Sequence, residues 1–279
     1  MKVSLQQHIE SELGESVSGN FNSTGLIRSS SGKEYFLKTG IQSRTYRCEA
    51  NGLNELKKSS AIYVPQVISV GNNYILTEYI PSTRPTGHFY TQLGKQLAKL
   101  HQFHSSGFGF YEDNFIGANP QLNIPNSKER DNWCEFYFNK RLIFQYKLAE
   151  KNGYTTAELR SGFKRLEDRI ETMLSESIES PCLLHGDLWS GNYLCKNSNE
   201  AVLIDPAVYY GHREADLAMT KVFGGFPAEF YLSYMEAYPL KEGWEEREKI
   251  YKLYHILNHL NLFGRSYLSE AEYLLKSLH

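Results

Sequence analysis

The stretch HGDLWSGN at residues 185–192, followed by IDP at 204–206, constrains this chain more than any other feature. It places two acids and an amide at set intervals: Asn192 comes five residues after Asp187, and Asp205 thirteen after Asn192. The apolar runs CLL (182–184) and AVLI (201–204) on either side read as short buried strands. The pattern therefore predicts one loop carrying Asp187 and Asn192, with Asp205 at a strand end. Taken singly, each residue reads as ordinary turn or cap chemistry. Their joint spacing points elsewhere, because phosphoryl transfer needs these three groups together. A carboxylate must hold and accept the proton of the attacking hydroxyl, while an amide oxygen and a second carboxylate hold magnesium.

His185, Asp187, Leu188 and Asn192 fall on the H-x-D-L-x-x-x-N frame of the protein-kinase catalytic loop. Gly186 replaces its arginine, and Asp205-Pro206-Ala207 replaces Asp-Phe-Gly. The chain has 279 residues, enough for one large domain or two lobes. With 30 Lys and Arg against 32 Asp and Glu, the net charge is 30 − 32 = −2, which argues against nucleic-acid or anionic-membrane partners. Four cysteines, at 48, 134, 182 and 195, match neither zinc nor redox spacing and read as buried free thiols of a reducing compartment. The N-terminus has no apolar core for a signal peptide, and no stretch reaches 18 apolar residues. A cytoplasmic protein that spans no membrane is expected. Nothing in the pattern fixes an oligomeric state.

Along the chain, Leu5, Ile9 and Leu13 predict a short amphipathic helix over 4–13. Residues 17–39 read as a hairpin, with turn signals at Gly19-Asn20 and Ser31-Gly32 and a strand at EYFLK. The first turn either covers ATP phosphates through its backbone amides or is a plain hairpin turn. Lys38 ends the EYFLK strand, where a kinase lysine would reach the phosphates and pair with a helical glutamate. The helix 44–58 offers Glu49 as partner, with Glu55 as a rival on the solvent side. PQVISV and NNYILTEYI (72–80) predict a second hairpin. TEYIPS would then be a hinge at which adenine meets backbone groups of Glu78 and Ile80.

From about residue 83 the pattern turns helical, with helices expected at 89–104, 131–150, 155–174, 213–223 and 245–264, the last stopped by Gly264. Residues 108–127 read as a long ordered loop that either lines a substrate site or covers the helical part. Asp216 is expected to brace the 185–192 loop. His255 and His259, lacking the H-E-x-x-H pattern, read as core or cleft-wall residues.

These residues together give the chain a resemblance to the fructosamine kinase, or ketosamine-3-kinase, family within the aminoglycoside-phosphotransferase-like branch of the kinase fold. The resemblance rests on LLHGDLWSGN (183–192), IDPAVYYGHREADLAM (204–219), FGGF (223–226) and YHILNHLNLFG (254–264), with YFLK around Lys38 and CEANGL around Glu49. It implies an α+β, two-lobed protein-kinase-like fold: a small antiparallel-sheet lobe over 1–80, a hinge at about 77–83 and a larger, mainly helical lobe over 81–279. It implies ATP, Mg2+ and phosphorylation of the 3-hydroxyl of a fructosamine or ribulosamine, a deglycation-type reaction. By matched position, Lys38 and Glu49 anchor phosphates, Asp187 is the base, and Asn192 and Asp205 hold the metal. Trp189 and His185 are expected on the substrate side; Trp189, two residues after the base on the same loop, either sets its indole beside the activated hydroxyl or is a large core anchor for the loop. Many family members have two adjacent glycines in the first loop, and Asn20 replaces the second here; asparagine tolerates positive φ, so the turn is expected to survive. Some members also carry a cysteine in that loop, and none lies in 17–24 here.

Two rival readings share the Asp, Asn and Asp frame or part of it. One is a kinase for another hydroxylated amine, such as an aminoglycoside or choline, whose substrate lobe would be more acidic. The other is a non-catalytic nucleotide-binding module, against which stands the presence of all five polar positions.

Overall fold

Leu37 sits fully buried between two half-exposed neighbours, and that alternation organises the N-terminal third of the protein. The structure is a computed structural model that describes residues 4–41, 43–175, 177 and 179–278. Helix α1 (Leu5–Leu13) starts at a Ser4–Gln7 capping box and ends at Gly14, whose left-handed backbone suits glycine. Strands β1 (Val17–Gly19), β2 (Gly25–Ser29) and β3 (Glu34–Thr39) follow, then helix α2 (Thr45–Lys58) and strands β4 (Val67–Val70) and β5 (Tyr74–Glu78). The five strands form one antiparallel sheet in the order β1-β2-β3-β5-β4.

Successive side chains of a strand point to opposite faces. Tyr35 and Leu37 of β3, with Tyr74 and Leu76 of β5, join Ile9 of α1 in one small apolar cluster. Phe36 and Lys38 must therefore face the other side, as must Ile75 and Thr77. The pleat alone thus directs the lysine away from α1.

The remainder is dominated by helices: α3 (Phe89–Leu100), α4 (Ser127–Asp131), α5 (Trp133–Tyr137), α6 (Ile143–Lys151), α7 (Ala157–Ser175), α8 (Glu214–Thr220), α9 (Ala228–Ala237), α10 (Trp244–Phe263) and α11 (Leu268–Ser277). Three small two-stranded sheets interrupt them. They are built from β6 (Asn114–Ile116) with β7 (Asn119–Gln121), β8 (Cys182–Leu184) with β11 (Tyr209–Gly211), and β9 (Tyr193–Lys196) with β10 (Glu200–Leu203). A single large core runs from Leu53 and Leu56 of α2 through the helices to Leu274 and Leu275 of α11. No helix among the described residues is long and apolar enough to cross a membrane.

Two expectations change here. The 131–150 segment is not one helix: Asn132 is extended and its side chain caps α5, and a π-helical turn at Phe138–Leu142 separates α5 from α6. The 108–127 segment is not merely a loop but contains the β6–β7 hairpin. Of the four free cysteines, Cys48, Cys182 and Cys195 are buried and Cys134 is partly so.

The core also contains neutral histidines. Burial lowers the pKa of His212 and of His255 to about 3, whereas both titrate near 6.5 in an unfolded chain. Between those values the unfolded state binds more protons than the native state. Stability is then complete above about pH 6.5 and is lost as pH falls towards 3. At pH 5 each histidine should cost up to about 2 kcal/mol relative to pH 7.5. Urea unfolding at the two pH values should show the lower midpoint at pH 5; an unchanged midpoint would mean these rings are not held neutral.

Candidate active site

Strand β8 is buried along its whole length, and the 185–192 loop leaves it to enter β9. Residues 204–208 leave β10 and enter β11, which returns to pair with β8. The two loops are tied by backbone bonds: the Ile204 N–H donates to the Asn192 carbonyl (3.1 Å) and the Ala207 N–H to the His185 carbonyl (2.9 Å). His185 adds a third tie, its Nε2–H donating to the Ile204 carbonyl at 2.9 Å while Nδ1 accepts from the Asp187 N–H at 3.3 Å. Those partners specify the neutral Nε2–H tautomer, and burial lowers the pKa of the ring. His185, expected on the substrate side, is fully buried with both nitrogens committed to backbone. It shapes the loop and offers nothing to a ligand.

Gly186 explains why arginine is missing from the frame. Its φ is +83°, and a Cβ there would lie 2.0 Å from the Ala207 carbonyl oxygen. Beneath it, Asp216 of α8 accepts the N–H groups of His185 (2.7 Å) and Gly186 (2.8 Å) and the Nε2–H of His101 (3.3 Å). Burial opposes the charge on Asp216, but these donors outweigh it and hold its pKa below the usual carboxylate range. His101, its pKa lowered by burial, is a neutral donor whose Nδ1 accepts from Tyr234. Asp216→Ala should therefore leave buried donors without an acceptor and cost about 3 kcal/mol of stability. Denaturant unfolding would measure it, and a loss under about 1 kcal/mol would show that the loop is braced elsewhere.

The Asn192 side-chain amide donates to the carbonyl of Asp187 (2.8 Å) and to its Oδ2 (3.1 Å). The Asn192 amide oxygen is then the atom left for a ligand. Burial raises the Asp187 carboxyl to about 7, against the opposing bond from Asn192. Across the cleft, Lys38 pairs with Glu49 (2.8 Å) and with Asp205. Burial disfavours the Lys38 ammonium, but the two carboxylates more than offset it and raise its pKa. Asp205 stands at φ +55°, a strained position for a residue with a side chain. Helix α2 comes close to this loop at Gly52, where a Cβ would lie 3.1 Å from Pro206 Cγ. Glu49 therefore reaches Lys38. The rival, Glu55, is not on the solvent side as expected: it is buried and accepts from the Tyr210 hydroxyl at 2.9 Å. A glutamate six positions on along α2 lies on a neighbouring face, and there it meets the helical core.

Three cavities run in series through this cleft. The first, about 540 Å³, has apolar walls from Phe36, Leu53, Leu194 and Ile204, and is bordered by residues 77–80 together with Lys38, Glu49 and Asp205. Glu78 and Ile80 both line it; the Glu78 N–H is already bonded to the Gln66 carbonyl (2.8 Å), which leaves its carbonyl as the backbone contact. The second, about 280 Å³, is shared by Glu49, Asp187, Trp189, Asn192 and Asp205. The third, about 330 Å³, shares Asp187 and Trp189 with the second and continues into aromatic residues.

Thr24 lines the first cavity, whereas Gly19 and Asn20 line none of the three. In the first loop the positive φ (+143°) belongs to Gly19, and a Cβ there would meet Ile27 Cγ2 at 2.8 Å. Asn20 does not adopt positive φ, as the sequence had suggested it would; its side chain instead accepts the Asn22 N–H at 2.9 Å and closes the turn.

Sequence reasoning missed several lining residues. Asn114, Phe115 and Gly117 come from the 108–127 segment, whose Gly, Asn and aromatic content was the available signal. Asn114 and Gln121 also clamp the backbone after Asp205, donating to the Val208 carbonyl (2.8 Å) and the Ala207 carbonyl (2.9 Å). Phe263, at the end of α10, lies within the YHILNHLNLFG stretch that carries the resemblance, but no pattern there marked it as lining a cavity.

A family model described as fructosamine kinase matches residues 1–279. The chain is 40% identical over 246 residues to the chloroplastic protein-ribulosamine 3-kinase of Arabidopsis thaliana, covering 85% of this chain and 73% of that protein. The crystal structure of a fructosamine-3-kinase-like protein from Thermobifida fusca superposes with a TM-score of 0.88 at 30% identity, covering 100% of this chain and 99% of the other. An aminoglycoside phosphotransferase with bound ADP shares the fold at a TM-score of 0.61 and 15% identity, over 98% of this chain and 96% of the other.

Proposed function

The chain belongs to the fructosamine kinase family, and from that membership we propose that it phosphorylates the 3-hydroxyl of ketosamines, the Amadori products of sugars and amines, using ATP. The phosphate ester so formed is unstable and releases the amine, which makes the reaction a deglycation. The observation that carries this reading is the position of Asp187, between the Lys38–Asp205 pair on one side and an aromatic wall on the other.

Each residue then has a role that its surroundings support. The Asp187 carboxylate orients the substrate hydroxyl and accepts its proton as the hydroxyl oxygen bonds to the γ-phosphorus. The bond from that phosphorus to the β–γ bridging oxygen breaks, and ADP leaves. Lys38, positioned by Glu49, holds the phosphates. The hinge carbonyl and amide of Glu78 and Ile80 border an apolar slot suited to a flat base. Gly19 and Asn20 close over the phosphates only if the first loop moves inward.

Asn192 and Asp205 fit magnesium. One carboxylate and one amide oxygen beside the phosphate path are a donor set too small for an all-protein cage, and Mg2+ commonly completes its shell with phosphates and water. When bound, the metal neutralises charge on the phosphates.

We place the boundary between lobes at 77–83, with residues 1–80 and 81–279 on either side. The free thiols support a reducing, cytoplasmic setting.

A kinase assay with Mg-ATP across a ribulosamine, a fructosamine, an aminoglycoside and choline tests the function. Turnover of the ketosamines is expected. Asp187 is the single acid in the aromatic cavity, which suits one ammonium group rather than several. Preferential turnover of the aminoglycoside would overturn the assignment.

A further inference from the structure

We propose that the third cavity receives the amine substituent of the ketosamine as a neutral, apolar arm, and that Phe223 and Phe263 set this preference. The inference rests on the ketosamine reading above and goes beyond it to the kind of amine accepted.

The order of the three cavities is the first ground. Lys38 and Asp205 border the first cavity, Asp205 and Asp187 the second, and Asp187 and Trp189 the third. With a nucleotide entering from the hinge, a hydroxyl at Asp187 leaves the rest of its molecule on the far side. In a ketosamine the nitrogen sits on C1, two carbons from the C3 hydroxyl. The nitrogen therefore lies near Trp189, where a protonated amine can face an aromatic ring. Whatever the nitrogen carries must continue into the third cavity.

The lining of that cavity is the second ground. A band of rings leads outward from the catalytic loop: Trp189 to Phe223 (centroids 5.5 Å), Phe223 to His259 (4.8 Å), and His259 to Phe263 (5.4 Å) and Tyr267 (5.3 Å). The opposite wall closes where the β6–β7 turn meets α10; a Cβ on Gly117 would lie 2.9 Å from Leu262 Cδ1. Apart from Asp187 and His259, no ionisable group but the Tyr267 phenol lines the space. The Nδ1–H of His259 donates to the His255 carbonyl at 2.7 Å, and burial lowers its pKa, so the ring adds no positive charge. No cationic side chain lines the space to neutralise a carboxylate on the arm. Nothing beyond Asp187 would hold a second ammonium. At the mouth, Phe223 and Phe263 remain 37% and 65% exposed, an apolar surface continuous with the reaction centre and ready to be covered by an alkyl chain.

The experiment compares the fructosamines of methylamine, hexylamine and β-alanine. Burial of each methylene is worth about fourfold in affinity. The hexylamine conjugate should therefore show a KM at least about tenfold below that of the methylamine conjugate, with the β-alanine conjugate the poorest. Phe263→Ala, at an exposed site, should raise KM for the hexylamine conjugate about tenfold and KM for the methylamine conjugate by far less, with KM for ATP as the internal reference. Phe223→Ala should act in the same direction. Equal KM values for all three conjugates, or a Phe263→Ala effect equal on the short and long arms, would overturn this inference while the kinase reading stands. Absence of turnover on every ketosamine would instead remove the functional reading, and this inference with it.

Discussion

Asp187→Asn should lower kcat on a ribulosamine or fructosamine by about 10²–10⁴-fold and leave nucleotide affinity near that of the unaltered protein. The amide is isosteric with the carboxylate and its oxygen can still accept from Asn192, so the loop should keep its shape. What it cannot do is take a proton. Burial raises the Asp187 carboxyl to about 7, which places it close to working pH, where a general base is most effective. Steady-state kinetics together with a nucleotide titration would measure both effects. A variant with near-normal kcat would rule Asp187 out as the base.

Asp205→Ala removes the carboxylate that meets both Lys38 and the central cavity. Turnover should fall by about 10²-fold or more, since charge on the transferring group loses a partner. Nucleotide binding should also stop responding to magnesium, because the metal would keep only the Asn192 amide oxygen from the protein. Lys38 retains Glu49 at 2.8 Å, so phosphate anchoring should persist in weakened form. A nucleotide titration with and without Mg2+ decides the matter. If magnesium strengthens binding equally in both proteins, Asp205 is not a metal ligand.

Much of this cleft was legible in the sequence because its parts are local. Asp187, Asn192 and Asp205 belong to two loops that leave the short strands β8 and β10, with only β9 between them, and strand and loop lengths set their spacing. Lys38 was legible for a similar reason: in a pleated strand, the neighbour of a buried Leu37 must face the other side. Asp216 could be read as a brace because an acid in the first turn of a helix beside a catalytic loop has few other uses.

Where the reading failed, the deciding contacts came from distant residues. His185 has the same identity whether it touches a substrate or the backbone; only the closeness of Ile204, nineteen residues on, commits its Nε2–H. Glu55 lies on a polar-looking stretch of α2, and Tyr210, 155 residues away, turns it inward. Asn20 was expected to substitute for a glycine by adopting positive φ, but its side chain reached the Asn22 N–H instead and left that backbone task to Gly19.

The sequence by itself determined which polar residues meet in the cleft, the α+β character and the strand faces, since these follow from residue type, spacing and a two- or 3.6-residue period. Only the tertiary structure decided what surrounds those residues. The aromatic cavity draws on the catalytic loop, the β6–β7 turn, the segment after α8 and the end of α10, which are far apart in the chain. No periodicity links such segments. They meet because each buries its apolar face against a shared core, and the shape of the space left between them is a property of that packing alone.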